Sequence, residues 1–207
     1  MRHVIVLLII GSFILTGCIH YKEVSTNIAP TAATPQKYTA RMGVYFTPRL
    51  RNCMVTRKPD TMYGQAHEYN YVWGPSLVAA LTKSVRSAYA DVTVANEPPK
   101  PGDFERVLVF DLPWVDLLVE FVPGYLNQEA KAKANIKISI EVYDGKTGKL
   151  LRTMPVEASG SSSKDASGFV AYAPMQFTAA MERAFQQLSE IVSNLLINGG
   201  AEPIKGR

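Results

Sequence analysis

Residues 131–142 alternate without a break. Ala132, Ala134, Ile136, Ile138, Ile140 and Val142 take one parity, and Lys131, Lys133, Asn135, Lys137, Ser139 and Glu141 take the other. Strand side chains point to opposite faces with a period of two, so this run belongs to a sheet with one dry face and one wet face. A helix would scatter the six apolar side chains round its circumference. Asp144-Gly145-Lys146-Thr147-Gly148 then forms a hairpin turn, and Leu150 to Ala158 returns as the antiparallel partner. Upstream, Val107 to Leu112 reads as a buried strand interrupted by Pro113, which has no N–H for a ladder. Residues 114–122 fit two periods. Trp114, Leu117, Leu118 and Phe121 have helical spacing, while Val115, Leu117, Val119 and Phe121 alternate. A strand is the reading that leads into the next hairpin, and Pro123-Gly124 ends it.

The rest of the chain must cover the dry face of that meander. Tyr38 to Phe46, Leu50 to Thr56, His67 to Trp73 and Asp91 to Ala95 read as short strands, with a loop from Lys58 to Ala66. Gly74-Pro75 opens a helix to about Tyr89, on which Leu77, Val78, Leu81, Val85 and Ala88 share a face. Ser159 to Gly168 reads as a polar loop. From about Pro174 to Ile197 a long helix carries Phe177, Met181, Ala184, Leu188, Ile191 and Leu195 at steps of four and three, widened by Phe185 and Val192. Asn198-Gly199-Gly200 stops it, and 199–207 read as a disordered tail. The expected class is α+β: a mostly antiparallel sheet covered on one face by two helices, forming one domain over 38–198.

The N-terminus has a different character. Arg2 and His3 precede an uncharged run, Val4 to Leu15, that is shorter than the roughly 20 residues a spanning helix needs. The run suits the apolar region of a signal peptide. Leu15-Thr16-Gly17-Cys18 follows. This tetrapeptide resembles the lipobox of bacterial lipoproteins. The resemblance implies cleavage after Gly17, removal of residues 1–17, and diacylglycerol and fatty acyl (palmitate) chains on Cys18. It places the chain on a membrane. Ile19, where an Asp would favour inner-membrane retention in lipoproteins of the enterobacterial type, points to the outer membrane with the domain facing the periplasm. The inner membrane and the cell surface stay open. Residues 18–37, rich in Ser, Thr, Ala and Pro after the cysteine, read as the lipidated residue and a flexible tether.

Assigning Cys18 to lipid leaves Cys53 alone, so the domain has no internal disulfide to lean on. Cys53 is either a small buried hydrophobe or an intermolecular partner. Of three histidines, His3 leaves with the leader and His20 lies in the presumed tether, leaving His67. No nucleophile signature, no set of metal ligands and no phosphate-binding glycine loop is present, so neither catalytic residues nor a cofactor is expected. The formal charge of +4, less that of Arg2, is too small and too scattered for nucleic acid.

Two features suit binding. Tyr69, Tyr71 and Trp73 share one side of a strand and form either an aromatic platform or a core stripe. The segment from Trp114 to Tyr125, with Leu118 and Phe121, holds more apolar residues than one buried face requires. Exposed, it is a docking edge; covered, it is the central strand. The element order is similar to that of small outer-membrane lipoproteins of the lipopolysaccharide-assembly and YajG-like types and of transporter-auxiliary lipoproteins. This resemblance implies a non-enzymatic accessory protein that binds another envelope protein or complex. The alternatives are an envelope enzyme acting on glycan or lipid through carboxylates such as Asp111, Asp116 and Glu120, and a surface-displayed adhesin or antigen.

Overall fold

The structure, a computed structural model, describes residues 18–24, 27–34, 36–58, 67–123, 128–165 and 175–199. Residues 1–17, read as a leader, and residues 200–207, read as a tail, lie outside these residues. Eight strands and three helices follow in the order β1 (Cys18–Glu23), β2 (Met42–Phe46), α1 (Pro48–Arg51), β3 (Met54–Arg57), β4 (His67–Val72), α2 (Gly74–Ala88), β5 (Val92–Ala95), β6 (Arg106–Pro123), β7 (Gln128–Asp144), β8 (Leu150–Asp165) and α3 (Met175–Ile197). The class is α+β, with helices against sheet. The strands divide into two mixed sheets, ordered β1-β4-β3 and β5-β2-β6-β7-β8. In the larger one the antiparallel meander β6-β7-β8 is extended by β2 and β5, which run parallel.

β7 behaves as its alternation dictates. Ala132, Ala134, Ile136, Ile138, Ile140 and Val142 are buried under α3, and the lysine parity faces outward. The turn is tied by Asp144, whose carboxylate accepts from the Thr147 and Lys146 amides and from the Thr147 hydroxyl. Those bonds hold its pKa below the ordinary value. Gly148 takes φ 70° there, a conformation that favours glycine.

β8 runs on to Asp165, so 159–165 form strand and not the expected loop. Serine and glycine have weak strand preference, but the ladder to β7 continues through Ser159, Ser161 and Ser163. Its outer edge is closed by α3. Gln187 accepts from the Ser159 amide at 2.6 Å and Arg183 donates to the Ser161 carbonyl, satisfying groups that would otherwise template a further strand.

The two long helices meet through small residues. Ser84 and Ser189 hydroxyls lie 2.8 Å apart and Ser87 and Ser193 hydroxyls 2.6 Å apart, letting the backbones approach with every hydroxyl satisfied. Cys53 is buried, the outcome expected of a small hydrophobe; burial pushes its thiol pKa up to about 11 against the opposing pull of Arg49. The thiol therefore stays protonated near neutral pH. Between β2 and β3, where a strand from Leu50 was expected, Thr47 caps the short α1 instead.

The N-terminal segment departs most from expectation. The stretch read as a tether lies along the domain. β1 pairs in parallel with β4, from Cys18 opposite His67 to Glu23 opposite Val72. Val24 and Ile28 are buried, and the Val24 carbonyl accepts from Ser76 at 2.7 Å. The Thr31 and Ala32 amides donate to Glu190 of α3, while Gln186 and Ser193 donate to the Ala29 and Ala32 carbonyls. Tyr38 then bridges to Tyr89. Residues 27–34 form a strap laced to α3.

Glu190 carries a pH signature. Hydrogen bonds from Thr31, side chain and then backbone, and from Gln186 and Ala32 hold its pKa below the ordinary glutamate value. A lowered pKa contributes stability above the unfolded value, and that stability is lost as pH falls through the folded one. Acidification through and below the ordinary glutamate range is expected to free the Thr31 and Ala32 amides, read as faster hydrogen exchange there. Glu190→Gln should abolish that pH dependence; an unchanged profile would refute the coupling.

Candidate functional site

The site begins with an irregularity in β6. Up to Leu112 the even-numbered residues face the helices: Leu108, Phe110 and Leu112 are buried. Asp111 pairs with Ser139 but Trp114 pairs with Lys137, so β6 holds one residue more than β7 across that interval. This is a β-bulge, and Pro113 sits in it with no N–H to leave unpaired. Arg49 donates to the Pro113 carbonyl, and Thr47 donates to the Asp111 carboxylate at 2.6 Å. The inserted residue reverses the parity. Beyond it Leu117 and Val119 are buried, while Trp114, 50 % exposed, and Leu118, 40 % exposed, stand on the open face.

Register then sets their neighbours. Trp114 lies in a row with Lys137 and Glu157, Asp116 with Asn135 and Ser159, Leu118 with Lys133 and Ser161, and Glu120 with Lys131 and Ser163. Lys137 and Glu157 pair at 2.7 Å. Two adjoining depressions occupy this face. One, of about 680 Å³, is lined by Trp114, Asn135, Lys137, Glu157 and Ser159 and reaches round the β8 edge to Gln187. The other, of about 380 Å³, is lined by Leu118, Lys133, Ser161 and Arg183 among others. Two apolar side chains thus stand on a rigid ladder amid amines, carboxylates and hydroxyls. This mixture can dock a partner by apolar contact at the centre and hydrogen bonds at the rim.

The other sequence candidates fall elsewhere. Tyr69, Tyr71 and Trp73 are buried and form core, not a platform. Tyr69 meets Phe177 edge-on at 6.3 Å, and Trp73 meets Phe185 edge-on at 5.3 Å while its indole N–H points to Met181 Sδ at 3.1 Å. The Tyr71 hydroxyl is buried with no hydrogen-bond partner among the described residues. Phe121 lies in β6 opposite Ala130, and its side chain is outside the described set, as are those of Cys18 and His67. Gly17 is outside it altogether.

The carboxylates do not converge. Asp111 is held by Thr47 and Asp116 by Arg57, whose guanidinium also donates to the Leu117 carbonyl at 2.6 Å. Asp116 and Glu120 share a face but are four residues apart, about 13 Å along a strand. Paired glycosidase carboxylates need a separation of about 5–9.5 Å. Among the described residues no three of His, Cys, Asp and Glu gather as metal ligands would.

Sequence reasoning missed the polar half of the face: Asn135, Lys133, Lys137, Glu157, Ser159 and Ser161. The wet parity of β7 was legible, but only the bulge places Trp114 and Leu118 beside it.

No protein-family model matches the chain, and no curated protein matches it by sequence. Solved structures do. The fold is similar to that of a Xanthomonas campestris protein of family DUF330, with TM-score 0.52 and 12 % identity over 87 % of this chain and 96 % of that one. It is also similar to a structure titled a putative neuraminyllactose-binding hemagglutinin homolog from Helicobacter pylori, with TM-score 0.50 and 13 % identity over 84 % and 92 %. A minor lipoprotein from Acinetobacter baumannii aligns at TM-score 0.43 and 9 % identity over 80 % and 96 %. The first two are likenesses of fold. Among the described residues no helix is long and apolar enough to cross a membrane.

Proposed function

We propose that this chain is a lipid-anchored envelope protein, held to the outer membrane through Cys18, that binds another envelope protein on the open face around Trp114 and Leu118 and performs no chemistry of its own. The observation that carries the binding reading is the placement of Trp114. Tyr69, Tyr71, Trp73, Phe46, Phe110 and Phe185 are all buried, whereas the bulge at Pro113 holds this one indole half in solvent on a stiff sheet. Exposed aromatics on rigid elements are the usual anchors of interfaces. The anchor rests on the tetrapeptide Leu15-Thr16-Gly17-Cys18 and its preceding apolar run.

Both halves are testable. Cys18→Ser is expected to abolish incorporation of labelled fatty acid, and undiminished labelling would refute the anchor. A photoreactive residue replacing Ser161 is expected to crosslink a protein in intact cells. Trp114→Ala with Leu118→Ala should abolish that adduct while the variant keeps its unfolding midpoint. An unchanged adduct in the folded double variant would refute the face.

A further inference from the structure

Three of the six exposed large hydrophobic side chains among the described residues belong to the small sheet: Ile19, 59 % exposed, Tyr21, 67 %, and Met54, 52 %. Register places them on one face. Ile19 is opposite Glu68, Tyr21 opposite Asn70, Met54 opposite Val72 and Thr56 opposite Asn70. Tyr69, Tyr71 and Val55, of the other parity, are buried. The outer face is thus Ile19, Tyr21, Met54 and Thr56 around a buried Asn70, with exposed Glu23 in the row of Met54 and Glu68, in the row of Ile19, paired to Lys58 at 3.4 Å. No described segment covers it.

We infer that this face of the small sheet seats on the bilayer surface. The inference rests on the lipid-anchor reading of Cys18 and deepens it. Cys18 is the first residue of β1, and the ladder to β4 starts at that residue. The strap that follows is laced to α3, so no slack chain separates the acylated position from the domain. Ile19 and Tyr21 lie one and three residues along the same strand, within about 3.4 and 10 Å of the anchor. Amphipathic elements bury to roughly 5–10 Å in the interfacial zone, so a face this near the acyl chains meets it. Its chemistry suits that zone: an isoleucine, a methionine and a tyrosine, whose ring prefers the boundary between headgroups and hydrocarbon, with the Glu23 and Glu68 carboxylates at headgroup level and Glu68 paired to Lys58. The anchor keeps the face beside the membrane at high effective concentration, so a small patch suffices.

The test uses the lipidated full-length chain in vesicles of phosphatidylethanolamine and phosphatidylglycerol. A fluorophore is attached at Tyr21→Cys and, separately, at Ser161→Cys; buried Cys53 escapes labelling. The probe at position 21 is expected to emit to the blue of the probe at 161 and to be quenched by spin-labelled lipid, which should leave position 161 unaffected. Equal exposure to water at both positions, in protein that carries labelled fatty acid, would overturn the seating while leaving the anchor intact. Absence of fatty acid from the unsubstituted chain would overturn the anchor and the seating together. Dimers crosslinked through position 21 would overturn it in favour of a second copy on this face.

Discussion

Gly160→Val is expected to produce a protein that unfolds at much lower urea than the parent or fails to accumulate folded. A Cβ at this position would lie 2.2 Å from the Ala180 carbonyl oxygen and 2.4 Å from the Ala184 nitrogen. Both are backbone atoms of α3, so no rotamer change relieves the clash. The helix would have to lift off β8, breaking the contacts of Ala180, Met181 and Ala184, all buried. Overpacking typically costs about 1–3 kcal/mol, and a site walled by backbone falls at the upper end or beyond. Ser163→Ala, on the exposed parity of the same strand, should shift stability by less than about 0.5 kcal/mol. An unaltered midpoint for Gly160→Val would mean that α3 does not cross β8 there.

Trp73→Ala is the second large effect. The side chain is fully enclosed, with its ring on Phe185 and its N–H directed at Met181. Removing a buried tryptophan costs about 3–5 kcal/mol, a large share of the 5–15 kcal/mol that holds a typical domain together. The unfolding midpoint should fall accordingly, and the cavity should loosen the small sheet against α3. Trp73→Phe restores most of the volume without the N–H and should recover most of the loss. If Trp73→Ala unfolds at the parental midpoint, the stripe is not core.

The two tryptophans show how far a sequence goes. Alternation put Tyr69, Tyr71 and Trp73 on one side of a strand, and they are on one side. Whether that side was covered depended on Phe177, Met181 and Phe185, about a hundred residues later, and no local period conveys a tertiary contact. For Trp114 the strand was legible and the proline was visible, but the facing of the indole turns on one inserted residue. The meander, α2 and α3 were legible because each carries a long, regular pattern. The N-terminal strap carries none. Its one buried apolar anchor, Ile28, stands in polar sequence, and its attachment is through backbone amides and carbonyls, which every sequence possesses. The serine strand of β8 was read as a loop for a related reason: its pairing is backbone pairing, and its side chains give little sign of it.

The lacing of the strap to α3 also bears on the order in which the chain can be completed. Few residues separate β6, β7 and β8 along the chain, so the meander forms from neighbouring sequence and closes small loops. The N-terminal third has no such independence. Thr31 and Ala32 need Glu190, and Tyr69 and Trp73 need Phe177 and Phe185, so the first part to be made is the last to be finished. A nascent chain cut short before Met175 would hold its aromatic stripe uncovered, a surface suited to chaperones or aggregation until the final helix arrives.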